Sequence, residues 1–145
     1  MLHLLMLAVC LTSGPDVTPD APKTEIASFD GEWSMVSGER DGQPIPADFA
    51  KQAKRVCKNG ETTVSFGDRV FMKAKFTIDP SRKPKTIAYK ILEGPNKDKI
   101  VLGIYELNGD ALKFCFSGPD EKRPTEFQSK EGSGWTTSEW KRVKK

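Results

Sequence analysis

The chain has 145 residues, of which 30% are charged and 37% are apolar, and its formal net charge is +3. This length fits one domain, and the apolar share is sufficient for one hydrophobic core. The single histidine is His3, so the rest of the chain excludes serine–histidine–aspartate and cysteine–histidine catalysis and every metal site that relies on imidazole.

Residues 2–11 read LHLLMLAVCL, a segment that is apolar apart from His3 and too short to span a bilayer. We predict that residues 1–14 form a secretory signal peptide or a lipoprotein leader, since LAVC, which ends at Cys10, is similar to a lipobox. A chance apolar run is the remaining alternative. The leader predicts an extracytoplasmic protein that is periplasmic, envelope-associated or secreted, with a lipid anchor at Cys10 as its contact with a membrane.

Residues 15–28 are rich in Pro, Asp and Thr and show no apolar period, which predicts a flexible linker ahead of a domain over residues 29–145. Residues 23–145 carry all 23 basic residues and, because Asp16 and Asp20 precede them, 18 of the 20 acidic residues, for a net charge of +5. Because the two signs are interspersed along the chain, we expect a mildly basic surface and no nucleic-acid partner.

From residue 29 onward the dominant period is two, which is typical of strands with one buried face. Asn59-Gly60 is the strongest hairpin signal. Pro46 can begin a short helix, on which Phe49, Ala50 and Ala53 share a face. The predicted strands span residues 31–39, 54–58, 61–66, 69–78, 85–92, 99–107, 111–117 and 135–143, with a further short strand at 126–129.

Eight or nine short strands joined mostly by tight turns predict an all-β fold, namely an antiparallel up-and-down barrel with one short helix after the first strand. Closure is favoured because it removes the two edge strands. Residues 79–85 form a corner of this fold that combines two prolines with three basic residues. We interpret this segment as an exposed hairpin corner that needs no ligand. In the long connection before the last strand, residues 123–127, read as RPTEF, are either a recognition loop or a segment shaped by a surface ion pair between Arg123 and Glu126, and we favour the ion pair.

The residues Gly31–Trp33, read as GEW, and Arg142 occupy the positions of the G-x-W motif and the basic residue of lipocalin-like barrels. The stretches KFTIDPSRKPKTI, LGIYELNGDALKFCF, RPTEFQSKEGSG and WKRVKK resemble a family of small exported lipocalin-like domains of unknown function that is abundant in planctomycete bacteria. The resemblance covers residues 29–145. It implies secretion, a lipocalin-like barrel and a structural pair at the barrel end, in which the Arg142 guanidinium covers the Trp33 indole. It implies no reaction.

An eight-stranded barrel either fills its interior with side chains or holds one small ligand. Glu106 shares a strand face with Ile104, so we expect its carboxylate at the barrel mouth, either solvated or paired. No catalytic, cofactor-binding or metal-binding motif is recognisable, so we predict neither an enzyme nor a cofactor. The candidate ligand-binding residues of the interior are Phe76, Tyr89, Ile104, Glu106, Phe114 and Phe116.

Two non-catalytic functions follow as hypotheses. In the first, the exported domain binds a small apolar ligand inside the barrel. In the second, it is a protein-interaction or inhibitor module of the cell envelope, and its barrel is filled. A cavity of about 300 Å³ or more inside the barrel would favour the first hypothesis. Cys57 and Cys115 are interpreted as two buried free thiols, with a disulfide as the alternative that an exported protein permits.

Overall fold

The computed structural model describes residues 21–144. Within that range the chain forms two short helices and nine strands, and the strand boundaries lie close to those predicted from the period of two. In chain order the elements are α1 (Ala21–Phe29), β1 (Gly31–Arg40), β2 (Gln43–Pro44), α2 (Ala47–Gln52), β3 (Ala53–Lys58), β4 (Glu61–Phe66), β5 (Arg69–Asp79), β6 (Lys85–Glu93), β7 (Ile100–Asn108), β8 (Ala111–Phe116) and β9 (Thr136–Arg142).

Eight of these strands close into one antiparallel barrel. Strands β3 to β9 pair consecutively, and β1 closes the ring because it pairs with both β3 and β9. The short strand β2 pairs with the end of β1. Helix α2 follows β2. The predicted fold class, an up-and-down antiparallel barrel with one short helix after the first strand, is therefore confirmed.

The turn between β3 and β4 forms where the sequence predicts it. Asn59 and Gly60 adopt φ values of 50° and 78°. A two-residue hairpin turn of this kind requires positive φ at both positions, and asparagine and glycine tolerate it best. The prediction of a short strand at 126–129 is wrong, because these residues belong to an irregular connection over 117–135.

The connection over 117–135 covers the outer wall of β7 and β8. The Phe127 ring lies against Lys113 of β8, whose Nζ is 4.9 Å from the ring centre. The Sγ atom of Cys115, also on β8, is 3.5 Å from the carbonyl oxygen of Gln128. This wall of the barrel therefore has a second, small apolar layer outside it.

The flexible linker predicted over residues 15–28 is corrected in part. Residues 21–28 belong to α1, whereas residues 15–20 lie outside the described range, together with the segment predicted to be a leader and with Cys10. Helix α1 ends at Phe29, which is 1% exposed and packs into the core. A helix with so few apolar residues shows no clear period in sequence, and packing of that end against the barrel stabilises it instead.

A charged and hydrogen-bonded contact fastens α1 to the barrel. The Nζ atom of Lys85 is 3.1 and 3.0 Å from the two carboxylate oxygens of Glu25. The hydroxyl of Tyr105 donates a hydrogen bond to the same carboxylate. Because all three groups lie at one end of the barrel, α1 closes that end.

The hydrophobic core fills the inside of the barrel and extends to α1. Aromatic residues supply most of its volume, and Phe29 of the helix contacts the rings of Phe76 and Tyr105 at centre-to-centre distances of 5.1 and 5.2 Å. The buried members are Phe29, Trp33, Ala53, Cys57, Val64, Ala74, Phe76, Ile87, Tyr89, Ile91, Val101, Tyr105, Leu112, Phe114 and Trp140.

Candidate functional site

Four of the six candidate ligand-binding residues lie inside the barrel, where they contact one another. Tyr89 is 4.4 Å from Phe116 and 6.3 Å from Phe76, measured between ring centres, and Phe114 is 5.3 Å from Phe116. These rings fill the space in which a ligand was expected. Two concavities of about 450 and 770 Å³ occur on the described part of the chain, and outward-facing strand residues contribute to the lining of both.

The prediction that Ile104 and Glu106 face the interior is wrong. On β7 the inward residues are Val101, Gly103 and Tyr105, and the even-numbered residues face outward. Ile104 is buried because it lies beside Cys115 in the layer covered by the connection. Glu106 is exposed, and its carboxylate accepts a hydrogen bond from Asn108 at 3.2 Å. Both faces of β7 carry apolar residues, so the period of two did not distinguish them.

The sequence prediction missed Arg55, which lies at the centre of the interior and is 4% exposed. Its Nη1 atom donates hydrogen bonds to Thr62 Oγ1 at 2.9 Å and to the Tyr89 hydroxyl at 2.8 Å. Its guanidinium carbon lies 4.7 Å from the Phe114 ring centre and 4.5 Å from that of Trp140. The cation is thus held between two aromatic faces.

No carboxylate of the described residues pairs with Arg55, and its Nε atom is buried without a hydrogen-bond partner. Burying an unpaired cation costs several kcal/mol, of which each aromatic face returns about 0.5–2 kcal/mol. Burial also raises the pKa of the neighbouring Cys57 thiol, which keeps it neutral and unreactive. The interior is therefore packed and carries a positive charge, unlike an empty apolar cavity.

The closed end of the barrel has the pair that the family resemblance implies. The Arg142 guanidinium carbon is 4.2 Å from the Trp33 ring centre. Gly31 has a φ of +136°, and a Cβ atom there would approach Arg142 Nη1 to 2.8 Å. The first residue of the GEW motif is therefore glycine for two reasons, namely its backbone conformation and the space that the guanidinium occupies.

Cys57 and Cys115 are both free and buried, as interpreted from the sequence. Cys57 faces the barrel interior, and Cys115 faces the outer layer under the connection. Two thiols on opposite sides of a barrel wall cannot form a disulfide.

Both tyrosines of the chain resist ionisation in the folded protein. Burial raises the pKa of Tyr89 to about 12, and burial together with the Glu25 carboxylate raises the pKa of Tyr105 well above its usual value. Since the folded state holds these protons more tightly, their stabilisation is complete below pH 10 and declines as the pH rises from about 10 towards 12.

An ultraviolet titration of tyrosinate checks this expectation. In the folded protein we expect no tyrosinate signal near pH 10, whereas urea-unfolded protein titrates there. The variant Tyr89→Phe should remove one of the two tyrosinate signals that appear above pH 10. A native titration centred at pH 10 would show that at least one tyrosine is in contact with solvent.

The outer wall of the barrel separates charges that are interspersed in sequence. Strands β3 to β6 alternate buried and exposed residues, so that one residue in two faces outward. The acidic residues of this wall are Glu61 and, at its edges, Asp79 and Glu93. Its outward basic residues, which we call the lysine face, are Lys54, Lys58, Lys73, Lys75 and Lys90.

One row of the lysine face shows the concentration of charge directly. Lys58 pairs with Glu61, Glu61 with Lys75, and Lys75 with Lys90, in register across four strands. Lys75 and Lys90 are like charges placed directly opposite each other, an arrangement that is unfavourable by itself. None of the five lysines forms a salt bridge with another residue in the range 21–144.

The opposite wall, formed by β7, β8, β9 and β1, has more outward acidic residues than outward basic residues. Its outward charged residues are Glu32, Glu39, Glu106, Glu139, Lys113 and Lys141. The barrel is therefore electrostatically polarised across its diameter, with a basic wall and an acidic wall.

Apolar side chains are exposed on and beside the lysine face. Val56 and Phe71 face outward on it and are 43% and 46% exposed. Phe71 contacts Phe66, which contacts Phe49 of α2, with ring centres 5.3 and 4.2 Å apart. Together with Val70, which is 57% exposed, these residues form an aromatic edge at the end of the barrel opposite α1.

Within residues 21–144, no group of three or more His, Cys, Asp or Glu side chains is arranged to hold a metal ion. Neither of the described helices is long and apolar enough to cross a membrane. Comparisons of the chain with protein-family models, with curated proteins and with solved structures gave no match.

Proposed function

We propose that the protein is a non-catalytic, exported domain that binds an anionic membrane surface through the lysine face. The observation that carries this proposal is the concentration of five lysines without ion-pair partners on one wall of a polarised barrel. The packed interior supports an action through the outer surface, as in the second of the two hypotheses. We also propose, from the residues quoted above, that the chain is a lipocalin-like domain of the exported family.

The exposed apolar side chains favour a lipid surface over a soluble polyanion. Phe71, Val70 and Val56 would gain burial where lysines meet lipid headgroups, because aromatic and aliphatic groups enter the boundary of the acyl chains. A hydrated polyanion offers no such burial. Each lysine near an anionic surface contributes about 1 kcal/mol, so the face contributes about 5 kcal/mol at most, and salt weakens it.

Vesicle sedimentation of the full chain tests the proposal. The triple variant Lys58→Gln, Lys75→Gln, Lys90→Gln removes one row of the face. Its matched control, Lys97→Gln, Lys130→Gln, Lys141→Gln, removes the same net charge from exposed positions elsewhere. With vesicles that contain about one third phosphatidylglycerol, we expect the row variant, which loses up to about 3 kcal/mol, to bind about tenfold to a hundredfold more weakly and the control variant to bind like wild type.

The apolar leader is present in all these proteins and contributes equally, so neutral phosphatidylcholine vesicles measure its share. If the row variant and the control variant lose vesicle binding equally, the proposal is contradicted, since net charge alone would then determine binding. Binding of wild type to dextran sulfate, with no preference for anionic over neutral vesicles, would instead identify a soluble polyanion as the partner.

A further inference from the structure

A concavity of about 450 Å³ lies on the outer wall of β5 and β6, next to the corner at residues 79–85. The sequence interpretation left the basic residues of this corner without a ligand. The structure adds Arg123, which the connection over 117–135 places against the same wall. The polar residues that line this arginine concavity are Thr77, Asp79, Arg82, Thr86 and Arg123.

Arg123 is held in a fixed orientation. Its Nη1 atom donates hydrogen bonds to the carbonyl oxygens of Ile87 and Gly103, both at 2.6 Å. These bonds replace the surface ion pair with Glu126 that we predicted, which is absent among the described residues. A guanidinium has five N–H donors, so the donors on Nε and Nη2 remain without a partner in residues 21–144.

The arginine concavity has one carboxylate for two guanidinium groups. Asp79 accepts hydrogen bonds from Ser81, by its backbone N–H and its hydroxyl, and from Arg82 Nε at 3.3 Å. These bonds hold the pKa of Asp79 below its usual value. Burial, and then the charge of Arg82, lowers the pKa of Arg123, so the two cations act on each other. The excess of positive charge in the arginine concavity favours the binding of an anion.

We propose that the arginine concavity binds the phosphate group of an organic phosphate, held between Arg82 and Arg123. Guanidinium groups bind phosphate oxygens by paired, charge-assisted hydrogen bonds. The hydroxyls of Thr77 and Thr86, which have no hydrogen-bond partner among the described residues, adjoin the same space. A volume of 450 Å³ exceeds that of a bare phosphate, and it suits a phosphate attached to a small polar group such as glycerol.

The position of the arginine concavity allows two sources for this phosphate. Thr77 pairs with Ala88 two residues along the strands from the Lys75–Lys90 pair. The phosphate of a lipid headgroup could therefore reach it while the lysine face contacts a membrane. A free organic phosphate could reach it as well, so the site does not depend on the proposed membrane binding.

Titration with glycerol 3-phosphate, followed by the arginine Nε–H signals in NMR spectra, tests the site. We expect saturable shifts of the Arg123 signal in the millimolar range or below, with inorganic phosphate weaker and glycerol without effect. Arg82→Gln should weaken binding about tenfold, and it should fold normally because the Arg82 side chain is 72% exposed. Its matched control is Arg69→Gln, an exposed arginine at the other end of β5.

Absence of saturable shifts with glycerol 3-phosphate would overturn the site, and so would equal weakening by Arg82→Gln and Arg69→Gln. If Arg82→Gln also weakens sedimentation with phosphatidylglycerol vesicles, the site stands and the lipid headgroup is a source. If vesicle binding is unchanged, the site stands for soluble phosphates. Loss of vesicle binding in the lysine row variant, with glycerol 3-phosphate binding retained, would support both proposals separately.

Discussion

Replacing Arg142 by alanine is expected to lower the free energy of unfolding by about 3 kcal/mol, because one guanidinium joins three parts of the closed barrel end. It covers Trp33 at 4.2 Å, its Nη2 donates to the Ser28 carbonyl of α1 at 2.8 Å, and its Nε contacts Asp110 at 3.0 Å. The cation–π contact contributes about 0.5–2 kcal/mol, and the ion pair with the exposed Asp110 adds little because solvent screens it. The carbonyl groups left without a donor account for the rest.

Urea unfolding of three variants separates these contributions. Arg142→Lys keeps the charge but not the planar fork of donors, so its loss should be about half that of Arg142→Ala. Lys141→Ala, at an exposed neighbour on β9, is the control and should change stability by less than about 0.5 kcal/mol. If Arg142→Ala behaves like Lys141→Ala, the guanidinium does not hold the barrel end.

The barrel could be predicted from sequence because most strands have one face exposed to solvent and one face buried. On β5 and β6 the apolar residues alternate with lysines, threonines and other polar residues, and Phe76 and Tyr89 face the interior as predicted. The Asn59-Gly60 turn also made the pairing of β3 with β4 predictable, because a two-residue turn determines which residues of the two strands lie opposite each other. Helix α1 was missed because its stability comes from Phe29 and Glu25, two contacts with distant residues that leave no local pattern.

The candidate sites were less predictable, because they depend on which strands are neighbours. Along the chain the lysines are mixed with acids, and only the pairing of β3 to β6 places Lys58, Lys75 and Lys90 in one row. The pattern of β3, AKRVCK, does contain a signal, since Arg55 alternates in phase with the small residues that face inward. Arg123 was considered only together with Glu126, and its position beside the corner at 79–85 could not be predicted, because an irregular connection carries it there.

The inner and outer charges of the barrel have different consequences. Arg55 is enclosed by aromatic rings, so its charge cannot reach a partner unless the core opens. The lysine face and the arginine concavity are exposed, and their lysines and arginines can exchange water for an anion at little conformational cost. The outer wall is therefore the part of this molecule in which charge is available for binding, and the packed interior serves to keep that wall rigid.

Replacing Gly103 by valine is expected to lower the free energy of unfolding by about 3 kcal/mol, and this result tests the corrected face of β7. Gly103 faces the interior, where the Phe116 ring packs against it and a Cβ atom would lie 2.8 Å from the Cys115 carbonyl oxygen. The backbone of β8 cannot retreat without disturbing the barrel, so the overpacking should outweigh the strand preference of valine, which is worth about 1 kcal/mol.

Gly103→Ala should give a smaller loss of about 2 kcal/mol, since one methyl group can be accommodated in part by movement of the half-buried Phe116 ring. The control is Ala111→Val, an exposed small-to-large change on β8 that should leave stability within about 0.5 kcal/mol. Denaturant unfolding measures all three variants. A neutral or stabilising Gly103→Val would mean that Gly103 faces solvent and that Ile104 and Glu106 point into the barrel, as the sequence alone suggested. If Gly103→Val loses much stability and Ala111→Val loses none, Gly103 faces the interior as observed, with Tyr105 inside the barrel and Glu106 in water.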